Sequence, residues 1–326
     1  MNLRTIGIEY AENENYEEAA LFLQKAYDNG DVLAINDMGV VFEKHHEYKK
    51  ARECYEHCMK YCSTSVYNLG NLYEQGWGVD QSYETAWILY MRAAAKGYYR
   101  AYYKLALFEQ HGYLGKENPK KAFEYASKGS QIETKTPNDN DGACTLTLGY
   151  YYEYGIGTKL NYKKALKYYS LACNLGNRVG FYNLAMAYLH GRGTKKDTKK
   201  AFNLLLESAK RHYPPAFEKL YEFYCDNEYG MEDQELAEFW LYKALDHKEI
   251  SSFLIYAERC LKGENSSKTV DIEQAERAIR DYLRYTDPSF EDEAEMYKQL
   301  KQELPSVLDW DALEANPNKK TNLCKA

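Results

Sequence analysis

Several absences narrow what this 326-residue chain does. No stretch approaches the ~18 uninterrupted apolar residues of a membrane-spanning helix. Met1 to Tyr10 carries acidic and polar residues where a secretory leader needs an apolar core, which leads to the expectation of a cytoplasmic protein with no membrane partner. Basic residues do not dominate: 42 Lys and Arg face 49 Asp and Glu, a formal charge of -7, so the clustered cations that bind a phosphate backbone are not in excess. There is no His-Glu-x-x-His, no Gly-x-Ser-x-Gly and no Cys-x-x-Cys. The Gly-x-Gly segments are not nucleotide loops, because no strand precedes them and none has the third glycine or the Gly-Lys-Ser/Thr ending. No catalytic residue, cofactor or resident metal is expected, and nucleic acid is not an expected partner.

Eight cysteines are present, but their spacing follows no repeat, and they read as reduced, mostly buried small side chains. Cys54, Cys58 and Cys62 lie four apart, next to His57, and are expected on one helix face. Steps of about 6 Å along a helix keep three thiolates from converging on one tetrahedral ion without a ligand from elsewhere. The other reading is a small-residue seam against the next hairpin. His45-His46, in a turn, has no evident third ligand.

What is abundant is tyrosine, 34 residues, and what is regular is alanine. Ala19, Ala51, Ala86, Ala122, Ala165, Ala201, Ala237 and Ala275 are separated by 32, 35, 36, 43, 36, 36 and 38 residues. A second landmark keeps step with them: Leu69-Gly70, Leu105-Ala106, Leu148-Gly149 and Leu184-Ala185, with Gly39, Tyr221 and Ala257 in equivalent places. In Val179–Tyr213, Phe181, Leu184, Ala185 and Tyr188 fall at helical spacing. Gly191-Arg192-Gly193 stops that helix, and Ala201, Leu204, Leu205 and Ala209 form the stripe of a second one. The alanines and glycines allow two helices to approach closely. Self-similarity at this period predicts an all-α, right-handed superhelical solenoid of about eight helix–turn–helix units, whose surface binds rather than catalyses.

The units around Ala19 and Ala51 lack the Gly-x-Gly turn, so Asn13–Tyr16 and His45–Tyr48 are expected to turn tightly. The long interval is assigned to a loop or hinge near 131–141. Units seven and eight are degenerate, with a lengthened connection at Gly263–Thr269. A capping helix is expected from Phe290 to about Leu304, followed by a disordered tail from Asn316. The division is therefore 1–64, two short units; 65–213, the regular array; 214–288, degenerate units; and 289–326, cap and tail.

Tyr67-Asn68-Leu69-Gly70, Tyr73, Gly76-Trp77-Gly78-Val79-Asp80, Ala86, Tyr90 and Ala93-Ala94-Ala95-Lys96-Gly97 resemble the Sel-one-like repeat family, relatives of tetratricopeptide repeats. Leu148-Gly149, Tyr152, Gly155-Ile156-Gly157, Lys164-Ala165 and Tyr168-Tyr169 match in the fifth unit, and Tyr182-Asn183-Leu184-Ala185, Tyr188 and Lys200-Ala201 in the sixth. The resemblance implies a non-enzymatic scaffold or adaptor that assembles protein complexes. In the related tetratricopeptide solenoids the first helix of each unit lines the concave groove. Positions two before and two after the Leu would then face a peptide or protein ligand, with further ones a turn later. The expected groove residues are Asn36, Tyr67, Asn71, Glu74, Tyr103, Tyr150, Glu153, Tyr182, Met186 and Glu222. Tyrosine rings would supply apolar contact, amides would meet a peptide backbone, and the acidic end at Glu218, Glu222 and Glu258 would favour a basic segment. Each tyrosine has a second reading as packing between neighbouring units. The Lys-Lys pairs 49–50, 120–121, 163–164 and 199–200 open second helices against the helix dipole. They form either an exposed contact ridge or a solvated family position. Self-assembly and, more remotely, nucleic-acid binding remain the other readings of the surface.

Overall fold

The computed structural model describes residues 2–135, 141–225, 229–264, 269–285, 297–302, 308 and 314. Among them there is no strand. Two compact units divide the chain, 1–177 and 178–326. In the first, five hairpins follow one another: α1 (Leu3–Glu12) with α2 (Tyr16–Asp28), α3 (Ala34–Lys44) with α4 (Tyr48–Cys58), α5 (Ser63–Gln75) with α6 (Tyr83–Ala95), α7 (Tyr99–His111) with α8 (Pro119–Glu133), and α9 (Ala143–Tyr154) with α10 (Tyr162–Asn174). The second unit holds α11 (Arg178–His190) with α12 (Thr198–Ala209), α13 (Pro214–Cys225) with α14 (Gln234–Asp246), and α15 (Ile250–Lys262) with α16 (Ile272–Tyr285). Each helix packs on its hairpin partner, and within each unit the second helix of a hairpin packs on the first helix of the next. This is the all-α stacking that the alanine period predicts. Residues 297–302 are helical, and Leu300 and Leu308 pack into the core of α15 and α16; the rest of the expected cap, and the tail, lie outside the described residues.

The period has a steric cause. All eight landmark alanines are buried, at 3 % exposure or less. One turn after each stands the side chain that fills the hairpin: Leu23, Tyr55, Tyr90, Ala126, Tyr169, Leu205, Leu241 and Ile279. Opposite it, on the first helix, is the second landmark. A Cβ at Gly39, Gly70 or Gly149 would meet the ring of Tyr55, Tyr90 or Tyr169 at 2.5, 2.7 and 2.7 Å. Real Cβ atoms do not come that close, so the ring requires the glycine. Where the first helix carries alanine instead, at 106, 185 and 257, the facing residue is Ala126, Leu205 or Ile279. Except in α7–α8, where both positions are alanine, each of these hairpins sets a small residue of the first helix against a large one of the second.

The connections follow the same economy. Asn118, Asn161 and Asp197 cap α8, α10 and α12, each side-chain oxygen accepting the N–H three residues on, at 3.1, 3.0 and 2.9 Å. Their own N–H groups reach back to the carbonyls of Glu109, Tyr152 and Tyr188, fastening the loop to the first helix. These caps stand four residues before the landmark alanine of each helix, as Asn or Asp in the sequence. In Gly155-Ile156-Gly157 the first glycine ends α9 in the left-handed region, φ 71°. The second serves the stack: a Cβ at Gly157 would lie 1.9 Å from the Pro119 carbonyl oxygen, because the loop sits on the start of α8. The tight turns expected in the first two hairpins are present, and they place Glu14 and His46 at φ 61° without a glycine.

Two expectations are corrected. Gln131 to Glu133 are not loop but the last residues of α8. Glu133 is buried there because its carboxylate accepts the N–H groups of Cys144 and Thr145 at 3.3 and 2.8 Å, capping α9 across the connection; burial raises its pKa. Residues 136–140 lie outside the described residues. Nor do the three cysteines share one helix, since α4 ends at Cys58 and Cys62 is the cap residue of α5. Cys54 and Cys58 are buried in a cluster with Ala19 and Leu23 of the preceding hairpin and Ala34 of their own, and Cys58 also meets Ser65 of the next hairpin. Burial pushes the Cys54 thiol up to about 11. Among the described residues no two cysteines are joined.

Candidate partner-binding surface

In the first unit, α1 reaches α3 and α7 reaches α9, so first helices approach one another at both ends of this unit. Along these helices the structure shows what fixes several of the expected residues. Asn71 and Glu74 of α5 both accept from the Tyr90 hydroxyl, Asn71 at 2.7 Å. Lys104, arriving from α7, places its ammonium 2.9–3.0 Å from the Glu74 oxygens. The same arrangement recurs at Tyr55, whose hydroxyl donates to Glu43 at 2.7 Å, and at Tyr169, which donates to Glu153 at 2.5 Å. In all three hairpins the ring crosses its glycine and its hydroxyl donates a hydrogen bond to the glutamate one turn further along the first helix. Burial is the main reason the three phenols are held far from ionisation, with the adjacent carboxylate adding to it. The α7–α8 hairpin has Gln110 at the glutamate position and no ring of its own there; Gln110 accepts instead from Tyr151 of α9 at 2.9 Å.

Tyr67 is half-buried against the rings of Tyr90 and Tyr98, 5.6 and 5.1 Å away, so it packs between hairpins as well as bordering the face. Tyr103 is also half-buried. Tyr150 is the open one, 39 % exposed, with its ring 4.5 Å from that of Tyr154, which is 58 % exposed. Tyr154 was not singled out in the sequence, although it stands one turn beyond Tyr150. Asn36 does not line a surface: it is buried at 7 % exposure and accepts the Ser65 hydroxyl at 2.8 Å, because α5 covers it. In the second unit Tyr182 is half-buried with its ring 5.4 Å from Tyr213, and Met186 packs on the core of α11–α14. Glu222 meets the Lys219 ammonium at 2.5 Å and Glu258 that of Lys262 at 2.5 Å, while Glu218 accepts the Ser251 hydroxyl. The expected acidic end is therefore partly neutralised by its own helices.

The Lys-Lys pairs are exposed, and the second lysine of each turns back onto the first helix. Lys50, Lys164 and Lys200 sit 5.2, 4.8 and 4.2 Å from the rings of Phe42, Tyr152 and Tyr188, and Lys121 pairs with Glu109 at 3.6 Å. A cation–π contact contributes roughly 0.5–1 kcal/mol at an exposed site, about what a cation at a helix N-terminus costs. The lysines thus have an internal partner. His45 contacts Glu47, and His46 contacts Tyr48.

The family model for the Sel1 repeat matches residues 7–31, 63–98, 100–131, 147–177, 182–213 and 227–248, more than half of the chain. The chain belongs to the Sel1 repeat family. Matches extend to both sides of the region where the resemblance is strongest in the sequence, and they pass over the α3–α4 hairpin. The chain is 45% identical over 62 residues to a sel1-like repeat-containing protein of Acanthamoeba polyphaga mimivirus, covering 19% of this chain and 12% of that one. It is 47% identical over 55 residues to the ERAD-associated ubiquitin-protein ligase component HRD3B of Arabidopsis thaliana, covering 17% and 9%. These alignments span about a tenth of the relatives' own lengths. Among solved structures, a Sel1 repeat protein from Oxalobacter formigenes aligns with a TM-score of 0.64 at 22% identity, over 74% of this chain and 99% of that one. A protective antigen of uropathogenic Escherichia coli displaying an SLR fold aligns with a TM-score of 0.58 at 20% identity, over 92% and 63%. Both similarities concern the fold. Sel1 repeats typically mediate protein–protein interaction and are generally a non-catalytic scaffold. Among the described residues no helix is long and apolar enough to cross a membrane.

Proposed function

We propose that this chain is a non-enzymatic interaction scaffold that receives a peptide or protein segment along the first helices of its 1–177 unit. One observation carries the reading. Successive first helices hold Asn71, Glu74, Gln110 and Glu153 in place by hydrogen bonds to neighbouring tyrosines and a lysine, beside the exposed pair Tyr150 and Tyr154. Side chains ordered before a partner arrives lose little entropy when it binds, and two exposed tyrosines supply amphipathic contact area. Membership of a family that typically mediates protein–protein interaction supports the same reading.

The test is affinity capture from the native cell extract with wild type and with the double variant Tyr150→Ala/Tyr154→Ala. Both positions are exposed, so the helical circular dichroism spectrum is expected to be unchanged while the captured partner is lost. Full retention of every captured protein would count against this face. Substituting Tyr67 or Asn71 is a poorer test, since both also pack or bond within the stack.

A further inference from the structure

The repeated tyrosine–glutamate pair is completed at one hairpin and not at another. At α5–α6, Glu74 accepts Tyr90 and also takes the Lys104 ammonium, which lies 5.9 Å from the Tyr90 ring centroid. Lys104 is two residues before the landmark Ala106 of the following first helix. The corresponding residue for α3–α4, two before Gly70, is Asn68. Its amide lies against the Tyr55 hydroxyl, and among the described residues no cation pairs with Glu43. Glu43 is a half-buried carboxylate whose pKa is raised because burial outweighs the Tyr55 hydrogen bond. The chain therefore contains, at Glu74, a demonstration of what the Glu43 position accommodates when a cation reaches it.

We infer that Glu43 and Tyr55 form a docking point for a lysine or arginine side chain of a basic peptide partner, which would take the place that Lys104 holds at Glu74 and Tyr90. The inference rests on the scaffold reading and names the chemistry of its partner. Complementarity supports it: the chain carries a formal charge of -7, and a partly desolvated carboxylate gains more from an arriving cation than a fully solvated one. Arginine or lysine binds here by the same charge-assisted hydrogen bond that joins Lys104 to Glu74.

The probe is a fluorescein-labelled ten-residue peptide of alternating lysine and alanine, titrated with protein and followed by anisotropy at low salt. A peptide of alternating glutamate and alanine is the control. Glu43→Gln keeps an acceptor for Tyr55 and is expected to weaken binding of the lysine peptide about tenfold. Asn68→Lys fills the site from within, as Lys104 does at Glu74; it is expected to weaken binding by a similar factor while raising the thermal midpoint. If both variants bind the lysine peptide as wild type does, or if the glutamate peptide binds equally well, the inference is overturned. Capture from extract by these two variants separates the two readings. A partner that Asn68→Lys retains and Tyr150→Ala/Tyr154→Ala loses leaves the scaffold standing and removes the Glu43 site.

Discussion

Gly70→Ala is the substitution that most directly tests the packing rule of the hairpins. On helix propensity alone it should stabilise α5 by about 1 kcal/mol, since alanine is the better helix former. The structure predicts the opposite. The new Cβ would lie 2.7, 3.0 and 3.3 Å from Cε1, Cδ1 and Cζ of Tyr90. The ring is fully buried and its hydroxyl is tied to Asn71 and Glu74, so it has no free direction in which to retreat. Overpacking of this kind costs about 1–3 kcal/mol. If the ring tilts, its bond to a charged acceptor goes as well, roughly another 1.5–3 kcal/mol. After subtracting the propensity gain of about 1 kcal/mol, net destabilisation of about 1.5–5 kcal/mol is expected when the ring tilts, and at most about 2 kcal/mol when it does not. Urea unfolding followed by circular dichroism reads it, with a constant m-value as the check that the repeat array still unfolds as before. The second arm is Gly70→Ala/Tyr90→Leu, which copies the natural combination of Ala185 with Leu205. Because the two side chains touch, the double variant should be more stable than the sum of the single effects by at least about 1 kcal/mol. A stabilised Gly70→Ala, or strictly additive effects, would refute the account of the seam.

Three further outcomes follow from the connections and the buried carboxylates. Asp197→Ala removes the oxygen that accepts the Lys200 N–H at 2.9 Å, and about 1 kcal/mol of stability is expected to go with it, measured by urea unfolding. Glu14→Gly relieves a left-handed residue at φ 61° on an exposed turn and should stabilise by about 1 kcal/mol; no change in the urea midpoint would argue against strain at that turn. For Glu43 the folded pKa is raised above its unfolded value, so its contribution is fully present below the unfolded carboxylate value of about 4.3 and declines as pH rises through the folded one. Glu43→Gln is therefore expected to gain stability relative to wild type as pH rises from 4 to 7, and a constant difference across that window would contradict the burial argument.

Much of the fold was legible because its cause is local and repeated. A helix that must pass within touching distance of another needs alanine or glycine once per crossing, so the eight alanines mark eight second helices directly. Turn glycines mark their boundaries for the same reason: the left-handed φ has few alternatives. Residues of the candidate surface were legible less evenly. Register placed Glu74, Gln110 and Glu153 on one face of successive helices, but register cannot say whether a side chain is covered by the next hairpin. Asn36 fails on that point, hidden by α5 through Ser65, and Tyr67 is shared between the face and the seam. Glu133 was invisible for a different reason. It caps a helix that begins ten residues later in the sequence, and no spacing rule connects the two. Tyr154 shows the converse, an exposed ring at ordinary helical spacing from Tyr150 that was overlooked because the Leu-based register stops short of it.

The substitution pattern inside the repeat also explains why the hairpins of the first unit are not interchangeable. Where glycine faces tyrosine, as in α3–α4, α5–α6 and α9–α10, the hairpin fills its own seam and satisfies the ring hydroxyl on its own first helix. In α7–α8, alanine stands opposite alanine, and the polar position at Gln110 is met by Tyr151 from the next hairpin. Glu133 of α8 likewise finds its donors on α9, and Ser130 bonds to Thr145 at 2.9 Å. Stability in a repeat array is the sum of what each unit supplies and what each interface supplies. The α7–α8 hairpin draws more of its share from the interface, so its order depends on α9 being folded. The same α9 carries the exposed tyrosine pair, which means that any partner gripping Tyr150 and Tyr154 also bears on the helix that holds α7–α8 in place.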